Sequence, residues 1–243
     1  MGRGIRKIAY DLGLDIKSAR SMLDYQMLDW IDENKRLLYF PENGPHRREL
    51  YKKHMEFFEA GQKYAERCFM AANRVGKTES AGAFEVSYHL TGGYPDWWPG
   101  KRFDHPVKCW VSGEKRTTTR DIQQRKLFGP PDAIGHGMVP RSAIADLSTM
   151  PGVKDAFEHV AVYHHDETGQ RDGISFCHFK CYQEGRKGFE GDEVDVGWMD
   201  ELPPDDVYSE MLVRTLTTHG IVILTVTPMG GLTQLIRSFH VSG

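Results

Sequence analysis

The stretch RCFMAANRVGKTESAGAFEVSYHL, residues 67–90, decides how the rest of the chain is read. RCFMAA (67–72) is a short apolar run of the length and composition of a buried strand. GKTESAGAFEVSYHL (76–90) has the spacing of a helix, and Gly92-Gly93 ends it. A strand, a tight loop and a helix starting at Gly-Lys-Thr turn consecutive backbone N–H groups and the positive helix end toward one point. A strongly negative group is expected there. Gly76 lets the backbone approach it, and Lys77 and Thr78 bring a cation and a hydroxyl.

The same alternation continues outward. VKCWVSG (107–113) reads as a second strand and EKRTTTRDIQQRKLF (114–128) as a second helix. A loop rich in Gly and Pro is expected from 129 to about 152. FEHVAVYHHD and GISFCHFKCYQ, joined by ETGQRD, have the pattern of an antiparallel hairpin. VDVGWMDE (194–201) and GIVILTVTP (220–228) are buried strands flanking the helix VYSEMLVRTLTTHG. Apolar strands alternating with helices predict an α/β fold, with a mainly parallel sheet covered by helices on both faces. Ligands in such sheets sit at the carboxyl ends of the strands. Upstream, apolar residues from Ile8 to Ile31 recur every three or four positions, PENGP (41–45) breaks the pattern, and RRELYKKHMEFFEAG resumes it. Residues 1–60 therefore read as a helical lead-in packed on a core of residues 61–243.

The chain has 243 residues, 40% hydrophobic and 27% charged, enough for one sizeable domain. No apolar run approaches the ~20 residues that span a bilayer, and the basic N-terminus lacks an apolar signal core, so a cytosolic protein is expected. Cys68, Cys109, Cys177 and Cys181 are expected as free thiols. The net charge of −3 is unevenly spread, with basic clusters at 3–7, 47–53 and 115–126 and an acidic one at 190–206. Charge alone neither supports nor excludes DNA as a partner.

The loop fits G-x-x-x-x-G-K-[ST] with Ala71 in the first position. The segment Ala72, Asn73, Arg74, Val75, Gly76, Lys77 and Thr78 is the candidate cradle for nucleotide phosphates, with the Thr78 hydroxyl on Mg²⁺. Such a site needs a metal-binding acid on a neighbouring strand. Asp200 is the candidate, and Glu201 the general base that polarises water. Adjacent carboxylates repel, and a divalent cation offsets that cost. In TVTP (225–228), Thr225 or Thr227 is placed to sense the γ-phosphate. Arg74 can act within its own chain, and Arg186 on its own or a neighbouring subunit's nucleotide; Arg116 and Arg120 are weaker candidates. An acid beside an acid at the strand end predicts a P-loop NTPase of the additional-strand, catalytic-glutamate class, using ATP and Mg²⁺.

FMAANRVGKTES, YQEGRKGFEGDEVDVGWMDELPP and ILTVTPMGG together resemble the ATPase domain of the large terminase subunit of tailed bacteriophages. The segment LLYFPENGPHRRELYKKHMEFFEAGQKYAER is similar to the family's stretch before the phosphate loop, so the likeness covers roughly residues 38–240. It implies a motor that packages double-stranded DNA into a procapsid, in the host cytoplasm, with a portal protein, a small terminase subunit and a homo-oligomeric ring. It carries Arg74, Lys77, Thr78, Asp200, Glu201 and Thr225–Pro228 over as functional positions. The adenine is expected on Tyr39, Phe40 and Pro41. Glu190 stands near the place where relatives put a bridging arginine, with Arg186 a turn earlier. No C-terminal nuclease domain follows, so no DNA cleavage is expected. The competing expectations are a helicase-like translocase and a docking module that binds nucleotide without turnover; Glu201 argues against the second. A zinc site at His164, His165, Cys177, His178 and Cys181 has poor geometry, because Cys177 and His178 point to opposite faces of a strand. Trp97 and Trp98 are expected to fill a loop against the core.

Overall fold

The computed structural model describes residues 15–72, 75–228 and 233–239. One seven-stranded sheet organises them, in the order β1-β7-β6-β2-β5-β4-β3. Its strands are β1 (Glu66–Met70), β2 (Lys108–Gly113), β3 (Ile144–Thr149), β4 (Phe157–His165), β5 (Arg171–Cys181), β6 (Val196–Asp200) and β7 (Ile221–Val226). The first five in the sheet order run parallel, and β5, β4 and β3 are antiparallel neighbours. The hairpin read from sequence is β4–β5. Within the segment 129–152, expected as loop, the structure forms β3. Its polar residues Asp146 and Ser148 hide it from a hydrophobicity pattern, and as an outer strand it needs only one apolar face.

Every residue of β6 and β7 is buried, which explains their continuous apolar character. One face packs Val111, Cys177, Trp198 and Ile223 against α2 (Lys52–Ala60), α3 (Phe84–Thr91) and α5 (Arg125–Phe128). The other packs Trp110, Met199 and Leu224 against Val207 and Met211 of α6 (Asp205–Leu216). This second cover is incomplete: Ile174 and Phe176 on β5 remain exposed. Helix α3 follows a π-helical turn, Lys77–Ala83, and ends at Gly92, at φ 68°, where a Cβ would collide with the His165 carbonyl oxygen. A second π-turn, Arg120–Gln124, joins α4 (Arg116–Thr119) to α5.

The lead-in divides in two. Residues 35–60 join the core: Phe40, Phe57 and Phe58 are buried with Phe84, and Arg36 donates to Thr91 Oγ1 at 2.6 Å. The expectation for Ile8, Leu12 and Leu14 lies outside the described residues, and helix α1 (Ile16–Glu33) leaves several described apolar side chains at the surface. Its Met22, Tyr25, Met27 and Trp30 are exposed. Trp98 is buried on Phe58 and Trp97 stacks on Phe84, so both fill the loop against the core. The four cysteines are free thiols. Among the described residues, no helix is long and apolar enough to cross a membrane.

Candidate active site at the carboxyl ends of the central strands

β7 lies between β1, which leads into the phosphate-loop sequence, and β6, which ends in the two acids. Their carboxyl ends bring the three sequence signals together. Thr78 Oγ1 donates to Asp200 Oδ1 at 3.1 Å, and Thr225 donates to the same oxygen. The Thr225 hydroxyl in turn accepts from Trp198 Nε1 at 2.9 Å. Gln123 Nε2, from the second π-turn, donates to Asp200 Oδ2 at 2.6 Å. Burial pushes the Asp200 carboxyl above its usual range, and the bonds from Thr225, Gln123 and Thr78 oppose that shift without cancelling it.

Glu201 is held differently. The Thr227 N–H donates to its Oε2 at 2.9 Å and the Thr227 hydroxyl to its Oε1 at 2.8 Å. The buried Lys77 Nζ stands 3.2 Å from Oε1. Thr225 and Thr227, two apart and therefore on one side of an extended chain, serve the two acids separately. Glu201 has φ of 62°, a left-handed conformation rare outside glycine and frequent at functional sites. Tyr182 OH, donating toward the Asp200 and Glu201 carbonyls at 3.0 and 3.2 Å, braces that turn.

Gly76, at φ 85°, starts the π-turn, and a Cβ there would meet Ser80 Oγ at 2.5 Å. Ser80 donates to the Gly76 carbonyl at 2.7 Å and contacts His54 Nε2 at 2.9 Å, so the Nε2–H tautomer of His54 fits. A cavity of about 390 Å³ opens beside this loop, lined by Tyr39, Phe40, His46, Tyr51, Gly76 and Ser80 among others. Pro41 lines a separate recess with Trp97, so the structure brings Tyr39 and Phe40, but not Pro41, to the loop. Phe40 is also core, edge-on to Phe84 at 5.0 Å. Glu79, at the cavity wall, bonds Lys35 at 2.5 Å and Lys126 at 2.6 Å. Burial would raise its pKa, but the two lysines outweigh burial and hold it at about 2.

A family model described as terminase large subunit, T4likevirus-type, N-terminal, matches residues 68–241. The chain belongs to the terminase large-subunit family. The large terminase subunit of Salmonella phage P22 is 38% identical over 234 residues, covering 88% of this chain and 45% of that relative. The chain therefore spans about half the length of its curated relative. Two solved structures of the large terminase of a thermophilic bacteriophage align over 80% of this chain and 38% of theirs. One has a TM-score of 0.45 at 9% identity. The other, a complex with ADP, has 0.41 at 12%.

The arginines of this terminase chain divide sharply. Asn73 and Arg74 lie outside the described residues. Arg186 Nε donates to the buried Glu210 of α6 at 2.9 Å and stands 3.7 Å from Glu190, so it is tied to its own helix layer. Arg116 pairs with Glu184 and donates to the Phe179 carbonyl; Arg120 pairs with Asp121 and donates to the Lys154 carbonyl. Ala72 and Val75 are exposed on the loop, and Val75 lines the cavity. Of the zinc candidates, His164 bonds Asp172 at 2.7 Å and Cys181 bonds Glu184. Gln123, Tyr182 and Trp198 escaped sequence reasoning. Only their burial reveals them, because a glutamine in a basic helix reads as solvated and an aromatic residue in a strand reads as core.

The site suits Mg²⁺. A carboxylate and an alcohol oxygen lie side by side at the start of a helix, hard oxygen donors of the type this cation prefers. Asp200 and Thr78 are the residues that would hold it.

Proposed function

We propose that this chain is an ATP-hydrolysing motor domain, part of a terminase large subunit that moves double-stranded DNA into a procapsid. The observation that carries the reading is the pairing of two acids with Thr225 of β7 and Thr227 just beyond its end, opposite Lys77 and Thr78. The strand β7 between β1 and β6 supports the additional-strand, catalytic-glutamate class of P-loop NTPases. Residues 61–243 form the motor core, with residues 1–60 as its lead-in.

In this mechanism the phosphate loop, from Ala72 to Thr78, wraps the β- and γ-phosphates. Lys77 leaves Glu201 for the phosphate oxygens, and the freed carboxylate turns to water. That water attacks the γ-phosphorus in line, its proton passes to Glu201, and the bond to the bridging oxygen of ADP breaks. Thr78 and Asp200 would hold Mg²⁺, which would supply neutralising charge to the phosphate oxygens. Thr225 and Thr227 keep the acids aligned and relay the state of the γ-phosphate. Tyr39 and Phe40 receive the adenine. Arg74 is the candidate to stabilise transition-state charge in its own chain. The exposed guanidinium end of Arg186, anchored on Glu210, is the candidate for a neighbour's site in a ring. The portal protein and the small terminase subunit are the proposed partners, at the portal in the host cytoplasm.

Binding of a fluorescent ATP analogue tests the nucleotide site. Lys77→Ala weakens it by about 1.5–3 kcal/mol, the loss of a charge-assisted hydrogen bond. Unchanged binding in that variant would remove the phosphate loop from the account.

A further inference from the structure

Gln123 and Gln124 are adjacent, equally buried at 1% exposure, and differently satisfied. Gln124 uses both ends of its amide: Nε2 donates to the Asp155 carbonyl and Oε1 accepts from the Phe157 N–H, each at 2.8 Å. Gln123 uses only one. Its Nε2 donates to Asp200 Oδ2 at 2.6 Å, while its Oε1 is buried without a hydrogen-bond partner among the described residues. A carboxylate offers only acceptors, so the amide must face Asp200 with its nitrogen, and that orientation leaves the oxygen orphaned. Buried polar atoms left unpaired are costly and rare.

The surrounding backbone makes room for this amide. Gly113, the last residue of β2, has no side chain where a Cβ would stand 3.2 Å from both Gln123 amide atoms and 3.0 Å from Thr119 Oγ1. Gln123 itself sits on a π-turn, a form of helix found frequently at functional sites. The strand end, the helix irregularity and the missing side chain all serve to bring a neutral amide against Asp200.

We propose that Gln123 is a positioning residue of the metal–phosphate site: its amide nitrogen fixes the inner oxygen of Asp200, and its amide oxygen accepts a hydrogen bond from a water that arrives with Mg²⁺. The assignment rests on the nucleotide reading given above. It accounts for the orphaned oxygen as an acceptor whose donor comes with the ligand. Gln124, on the same turn, has no such task and is complete without one.

The test is the affinity for a fluorescent ADP with and without Mg²⁺, which requires no turnover. In the wild type, Mg²⁺ strengthens ADP binding. In Gln123→Met, which keeps length and helix propensity but removes both polar atoms, that strengthening falls about tenfold, the loss of one charge-assisted bond. Metal-free ADP affinity stays within about twofold, because the phosphate loop is untouched. If Gln123→Met does not fold, Gln123→Asn replaces it; the amide is retained but falls a methylene short of Asp200, and the same loss is expected. A full Mg²⁺ effect in a folded variant would overturn the proposal, even if thermal stability fell. So would an equal loss with and without metal, which would make Gln123 a wall of the pocket. ADP binding without any Mg²⁺ effect in the wild type would overturn the assignment alone, whereas no ADP binding at all would overturn the nucleotide reading and the assignment with it.

Discussion

Thr225 and Thr227 do different work two residues apart. Thr225 links the buried Trp198 N–H to Asp200, so it belongs to the core and the site at once. Thr225→Val removes an acceptor and leaves Trp198 Nε1 unpaired inside the protein. Urea unfolding should show a loss of about 1–3 kcal/mol, largely restored in Thr225→Ser. Thr227→Val removes one of two bonds to Glu201 and keeps the backbone one. Its effect should be kinetic: ATP turnover lower by about tenfold, with nucleotide affinity and unfolding midpoint near wild type. Similar stability losses in both variants would contradict this division. Lys77, Thr78, Asp200 and Glu201 were legible in the sequence because each sits within a contiguous pattern at a strand end. Gln123 was not, since nothing in KRTTTRDIQQRKLF says which glutamine turns inward.

At the scale of elements, the β1–α3 contact depends on a buried ion cluster. Arg67 on β1 bonds Glu85 of α3 at 2.6 Å, and His89 Nε2 lies 3.2 Å from the same carboxylate oxygen. Burial opposes the Glu85 charge, but Arg67 and His89 outweigh it and hold its pKa below the usual range. Arg67→Ala leaves that buried carboxylate with only His89, whose protonation burial disfavours, and should cost about 3–5 kcal/mol in denaturant unfolding. Replacing both partners, Arg67→Met with Glu85→Leu, should recover much of the loss, because two apolar groups need no mutual pairing. A double variant no more stable than Arg67→Ala would refute this account. Gly82, on the π-turn before α3, sets a further contact: a Cβ there would lie 2.3 Å from the Trp198 ring. The order of strands and helices was legible because buried parallel strands announce themselves as apolar runs. β3 and the exposed side chains of α1 escape the pattern for opposite reasons. β3 carries too few apolar residues to be seen, whereas α1 has the periodicity of a packed helix and exposes Tyr25 and Trp30.

For the whole molecule, acid should act through His54 and Glu79, which hold the lead-in region against the π-turn Lys77–Ala83. Burial lowers the His54 pKa from 6.5 to about 4, so the unfolded chain takes up that proton first. The stability from its neutral form is complete above pH 6.5 and is lost as pH falls toward 4. The Glu79 contribution, from a folded pKa of about 2 against 4.5, is lost in a lower window, from 4.5 toward 2. Unfolding midpoints measured across about pH 7 to 4 should therefore fall on acidification, and less steeply in His54→Gln. An equal slope in that variant would place the acid sensitivity elsewhere. The central claim, that this chain hydrolyses ATP with Glu201 as base, is tested most directly by Mg²⁺-dependent ATP turnover of wild type and Glu201→Ala, with linear double-stranded DNA present. The account predicts turnover lower by about 10²–10⁴ in the variant, with ATP still bound; a variant that hydrolyses ATP at the wild-type rate would contradict it.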